Sequence, residues 1–134
     1  LGNRVIEKRI PKMYIDGILK LQRCMQEKIA QKGIGIEINP SSNLAISTMK
    51  TYADHPVLNL YSLGLGDKRD IPQMFVSINT DDRGVFQTSL ENEYALLAAS
   101  VENLTDENGK KLYTPQEVYE WLNHIRVMGN QQVF

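Results

Sequence analysis

A chain of 134 residues with 42% hydrophobic and 23% charged side chains has the balance of a folded domain and can bury a core. Its formal net charge of −1, with Lys and Arg interspersed among acids, offers no broad attraction to nucleic acid or anionic lipid. No apolar run approaches the roughly 20 residues of a membrane helix, the start LGNRVIEKRIPK lacks the apolar middle of a signal peptide, and the lone Cys24 cannot form an internal disulfide. These features lead us to expect a cytoplasmic protein that contacts neither membrane nor nucleic acid.

Taken in order, Met13, Ile15, Ile18, Leu19, Leu21, Met25 and Ile29 recur at mostly three- and four-residue intervals and predict an amphipathic helix from Lys12 to Lys32, with Gly33 as its stop. Cys24 on that helix reads as a small core or boundary residue. The β-branched run Ile34 to Ile38, ended by Asn39-Pro40, reads as a strand leading into a loop, with Glu37 unusual in it for its polarity. Ser41 to Gln73 holds Pro56, Pro72, Gly64, Gly66 and the cluster Asp67 to Asp70, so it is expected to be loop with one short helix around Val57 to Leu63. Met74 to Ile78 is the second predicted strand, and Asn79 to Gly84 the loop after it. Leu90 to Val101 follows as a helix with Ser89 as N-cap and Glu91 and Glu93 near its positive end. After a polar turn from Thr105 to Lys111, Thr114-Pro115-Gln116-Glu117 combines an N-cap, a proline at the first helical position and a capping-box glutamate. The helix it opens is expected to end near Gly129. Helix, strand, loop, strand, helix, helix is what one arc of a β/α protein gives.

The strongest local signal for chemistry is Asp81-Asp82, at the C-terminal end of a predicted buried strand, where β/α barrels carry their active-site groups. Successive residues at a strand end point in different directions, so one carboxylate can bind a metal while its neighbour meets a substrate. The competing reading is a turn whose aspartates cap the next helix. Spacing alone leaves both open.

Ser77-Ile78-Asn79-Thr80-Asp81-Asp82, followed by Phe86, Thr88, Leu90, Glu93 and Tyr94, resembles the last-strand signature of the adenosine deaminases. Asn39-Pro40-Ser41-Ser42-Asn43-Leu44 resembles the segment after that family's preceding strand, His55-Pro56 its connecting element, and Asn123 to Phe134 the end of its final helix. These motifs fall in the family's order and together cover roughly Gly33 to Phe134. The resemblance implies the α/β class and, more finely, the last strands and helices of a partial (β/α)8 TIM barrel: a connecting helical segment over residues 1–32, then the final β/α units over 33–134. It implies a zinc-dependent hydrolase deaminating a purine nucleoside or nucleotide. Asp81 would be the zinc ligand that also orients the attacking water, and Asp82 would contact the purine. The family's three histidine ligands, its acid glutamate and the histidine beside the water have no counterpart here. His55 and His124 are the only histidines, and neither a His-x-His nor a His-Ala-x-Glu element is present.

The expectation is therefore a C-terminal part of the enzyme that is inactive alone, takes the missing N-terminal part of the barrel as its partner, and tends to self-associate through its open sheet edge. His55 is expected to fix its loop rather than bind metal, and His124 to lie on a helix surface or terminus. Ser41, Ser42 and Asn43 could shape the rim of the site or only form turn hydrogen bonds within their loop. The segment from Arg4 to Lys32 departs from the family pattern and leaves the substrate open. Two alternatives stand beside the enzyme: a non-catalytic deaminase-like scaffold, and an amidohydrolase acting on something other than a purine.

Overall fold

The structure, a computed structural model, describes residues 8–66 and 69–132; the expectations for the N-terminal start, including Arg4, and for Asp67 and Lys68 lie outside the described residues. The first helix, α1, spans Lys12–Gln31 and ends where Gly33 turns to φ +65°, its N–H bonded to the Ala30 carbonyl at 3.0 Å. Only glycine enters that left-handed region without a steric penalty, so the predicted stop is the real one. Strand β1 follows at Gly35–Ile38 and strand β2 at Phe75–Ile78. They pair parallel and in direct register, from Gly35 opposite Phe75 to Ile38 opposite Ile78. Alternation puts Ile36, Ile38, Val76 and Ile78 on one face, and these enter the core, while Glu37 and Ser77 take the other face. The polarity of Glu37 then has a simple cause: its side chain is exposed and accepts a hydrogen bond from Asn79 at 3.1 Å.

The connection between the strands carries more helix than its sequence suggests. Asn39-Pro40 opens a seven-residue helix, α2 (Pro40–Ile46), instead of a loop, because proline at the first helical position has the right φ and no N–H to leave unpaired. Two 3-10 turns follow, at Tyr52–Asp54 and Pro56–Asn59, where one short helix over Val57 to Leu63 was expected. Thr51 and Asp54 close the first as a reciprocal capping box, and the His55 ring caps the second.

Beyond β2 come a short helix α3 (Arg83–Phe86), then α4 (Leu90–Glu102) with Ser89 as its N-cap, and α5 (Pro115–Gln131) with the expected Thr114–Glu117 capping box. Leu97 and Val101 from α4 and Val118, Trp121, Leu122 and Ile125 from α5 meet the strand residues and Val57, Leu58 and Tyr61 in one core. Trp121 is wholly buried, and its indole N–H donates to the Tyr61 carbonyl at 3.0 Å, so its polar atom is satisfied.

Helix α1 behaves differently. It buries no residue; Met13, Tyr14, Leu19, Leu21 and Met25 are all more than half exposed, and Cys24 is exposed rather than core or boundary as its place on an amphipathic helix suggested. No helix of the described residues is long and apolar enough to cross a membrane.

Candidate functional site

Parallel pairing brings the C-terminal ends of both strands to the same edge of the sheet, so the segments that follow them, Asn39 to Asn43 and Asn79 to Asp82, lie side by side. The Asn79 N–H extends the ladder to the Ile38 carbonyl at 2.9 Å. Beyond it Thr80 is buried, and Asp81 takes a positive φ of 55°. Aspartate tolerates this left-handed conformation better than most side chains, and such a conformation persists only where the surroundings hold it. The two carboxyls then take different partners.

Asp81 Oδ2 accepts a 2.7 Å hydrogen bond from the hydroxyl of Ser42, a buried residue in the first turn of α2. Its Oδ1 has no hydrogen-bond donor among the described residues. Asp82 turns the other way and is the N-cap of α3, with Oδ1 accepting from the N–H groups of Gly84 at 2.9 Å and Val85 at 3.0 Å. The capping role that spacing alone offered for the pair thus falls on Asp82. Both side chains are exposed.

Behind Asp81 lies a polar cluster with few free groups. Glu93, the fourth residue of α4, is fully buried; it accepts the Ser41 N–H at 2.8 Å and the Thr88 hydroxyl. A carboxyl out of water needs such donors, and here they come from two separate segments of the chain. The hydroxyls of Ser41 and Tyr52 are 3.1 Å apart. His55 is also buried: its Nδ1 accepts the Val57 N–H at 3.2 Å, which puts the ring proton on Nε2, 3.1 Å from the Asn43 Oδ1. Asn43 Oδ1 in turn accepts the Asn39 N–H at 3.2 Å. Burial holds the His55 pKa below its ordinary 6.5, and the Glu93 charge opposes that in part. His55 therefore sits as a neutral strut between two loops. Its two ring nitrogens are both engaged, which leaves neither for a metal.

The serines and Asn43 do more than shape their own loop. Ser41 and Ser42 reach across to α4 and to Asp81, and Asn43 ties its own turn to His55. His124 lies mid-way along α5 on the surface, 3.4 Å from the Leu63 carbonyl and remote in sequence from this cluster. In the sequence Glu91 and Glu93 read alike, as acids favoured at a helix start. Glu91 is exposed, but Glu93 falls on the buried stripe Glu93, Leu97, Val101, spaced four apart. An acid at a stripe position was the signal for its role.

Among the described residues no group of three or more His, Cys, Asp or Glu side chains could hold a metal ion. At the strand ends Asp81 Oδ1 is a hard oxygen with no hydrogen-bond donor among the described residues. That donor suits zinc as one ligand of several and cannot hold it alone. A cleft of about 690 Å³ is lined by Glu37, Ser77, Tyr94 and Arg126 among others, and by neither aspartate of the pair.

Comparison with known proteins supplies the wider frame. A family model described as adenosine deaminase matches residues 17–115, beginning inside α1 and ending at the first residue of α5. An adenosine deaminase of Erwinia tasmaniensis is 35% identical over 94 residues, covering 66% of this chain and 26% of the relative. An adenine deaminase of Rhizobium meliloti is 33% identical over 70 residues, covering 52% of this chain and 19% of the relative. The chain thus spans about a fifth to a quarter of the length of these curated relatives. No solved structure matches it.

Proposed function

The chain belongs to the adenosine deaminase family, and on that premise we propose that it is one arc of a (β/α)8 barrel whose complete form hydrolyses the 6-amino group of a purine. Residues 33–134 would be the final β/α units, with 1–32 a connecting helical segment. The reaction adds water at the carbon bearing the amino group and releases ammonia, leaving the 6-oxo purine. Relatives named for adenosine and for adenine support a 6-aminopurine, free or as its nucleoside or nucleotide, as the substrate class of this reading. The family is generally zinc-dependent, and zinc when bound lowers the pKa of its water towards neutrality.

The single observation that carries this reading is Asp81, at the C-terminal edge of two parallel strands, with one carboxyl oxygen anchored and the other free. In the complete protein Asp81 would supply one oxygen ligand and orient the water through its carboxylate. Asp82, whose Oδ1 is committed to the α3 backbone, would present Oδ2 to the purine ring. The remaining ligands, the acid and the base would come from polypeptide outside this chain, so the 134 residues alone should bind no stoichiometric zinc and release no ammonia. In the full-length protein Asp81→Ala should abolish ammonia release and deplete zinc measured by elemental analysis, whereas Asp82→Ala should keep the zinc and impair turnover. Full zinc and near-normal turnover in Asp81→Ala would defeat the assignment.

The capping geometry of Asp82 favours a second reading, in which the deaminase-like fold is kept as a non-catalytic scaffold and the pair only shapes a turn. Upstream sequence separates the two. A His-x-His and a His-Ala-x-Glu element in the complete polypeptide supports the enzyme, and their absence supports the scaffold.

A further inference from the structure

We propose that Ser42 is a positioning residue for Asp81: its hydroxyl fixes one carboxyl oxygen so that the other is presented in a single orientation to a metal. The inference rests on the reading of Asp81 as a ligand and goes beyond it, because it assigns the hold on that ligand to the segment after the neighbouring strand. Three observations carry it. First, Ser42 is 1% exposed, and its only side-chain bond among the described residues is the 2.7 Å contact to Asp81 Oδ2. A buried hydroxyl committed to an exposed carboxyl 39 residues away spends its donor on orienting that group, since the carboxyl has water available in its place.

Second, the backbone of Asp81 is left-handed, so the direction of its side chain is not set by the strand before it. Some other contact has to fix it, and the serine hydroxyl gives the one hydrogen bond its carboxyl accepts among the described residues. Third, Ser42 is itself immobilised from both sides. The N–H of Ser41 is bonded to the buried Glu93, and Asn43 is bonded to the Asn39 N–H and to His55. The hydroxyl is therefore delivered from a preorganised turn. Groups that orient a metal ligand typically change metal affinity about 10- to 100-fold when removed.

The test uses the full-length protein, with zinc affinity measured by competition against a chromophoric chelator and thermal unfolding followed on the metal-free form. Ser42→Ala should weaken zinc binding about 10- to 100-fold and shift metal-free unfolding little, since a smaller side chain in the same place leaves no clash. In an Asp81→Ala background the same Ser42→Ala change should have no further effect on residual zinc binding, because its only target is gone. Zinc affinity within twofold of the parent in Ser42→Ala, with zinc lost in Asp81→Ala, overturns the role of Ser42 and leaves Asp81 as the ligand. Equal losses from Ser42→Ala in both backgrounds, matched by a lower metal-free melting temperature, overturn it in favour of a mere loop tie. Zinc retained in Asp81→Ala removes the assignment of Asp81 itself, and the role of Ser42 falls with it.

Discussion

Helices α1 and α5 carry the same kind of sequence pattern and meet opposite fates. Both space their apolar residues three and four apart, yet α5 buries Val118, Trp121, Leu122 and Ile125 while α1 buries none of its twenty residues. At 100° per residue, Tyr14, Ile18, Leu21 and Met25 fall within one narrow arc of α1. The helix instead leans on the body through its other side, where Arg23 meets Asp70 at 3.4 Å and Gln26 meets the Asn59 carbonyl at 3.4 Å. A hydrophobic period tells which face of a helix should be dry. It does not say whether the partner that dries it is in the same stretch of chain.

The largest expected effect lies on the α5 side of that contrast. Trp121 is wholly buried, and replacing it with alanine empties the centre of the only extended apolar cluster in the described residues while freeing the Tyr61 carbonyl it bonded. Large aromatic-to-alanine changes in cores cost about 3–5 kcal/mol, which is a large part of the stability of a domain this size. The urea midpoint of Trp121→Ala should fall by a corresponding margin or the folded baseline should vanish. A shift below about 1 kcal/mol would mean that α5 is not the organising helix.

What the sequence made legible follows the same division. The helices with both a pattern and a cap were read to within two residues: Ser89 opening α4 and Thr114-Pro115 opening α5 are signals that act locally. The strands β1 and β2 were legible because the β-branched runs and the Asn ends are local too, while their parallel pairing follows from the β/α order and not from either run by itself. The links from Ser42 to Asp81 and from Ser41 to Glu93 were not. They join residues 39 and 52 positions apart, and no rule of spacing along the chain reaches that far. Helix α2 was missed for a different reason. Asn39-Pro40 reads equally as the start of a turn or of a helix, and the prolines, glycines and charged cluster of the stretch it opens point to loop. The aspartate pair itself was found through its motif, and only the structure separated its members.

A middle-sized effect concerns the polar cluster around His55 and Glu93. His55 is buried and neutral, and its pKa in the folded chain lies below 6.5. The sign follows from proton uptake. As pH falls below 6.5 the unfolded chain binds a proton that the folded chain refuses, so stability is fully present above 6.5 and is lost as pH falls through the lower folded value. Asp54 and Glu91 are held below their ordinary 3.8 and 4.5, chiefly by backbone N–H donors, and act in a lower window. Urea midpoints measured from pH 7.5 down to pH 5 should therefore slope downwards in the parent. His55→Asn keeps an acceptor for the Val57 N–H but has no titrating ring, and its slope over that range should flatten. An identical slope in both proteins would place the titrating group elsewhere.

The smallest effect on stability should come from α1, and it tests the contrast from the other end. Leu21 is 62% exposed on the apolar arc, so exchanging it for glutamine removes little buried area and keeps a good helix former. Surface substitutions of this kind stay within about 0.5 kcal/mol, so the urea midpoint of the 134-residue chain should hardly move. Its behaviour at high concentration should change more. An exposed apolar stripe of this kind promotes association between copies, and Leu21→Gln should lower the apparent mass seen in sedimentation as concentration rises. If the midpoint instead drops by as much as it does for a buried leucine, α1 has a partner within the chain, and the difference drawn between the two helices disappears.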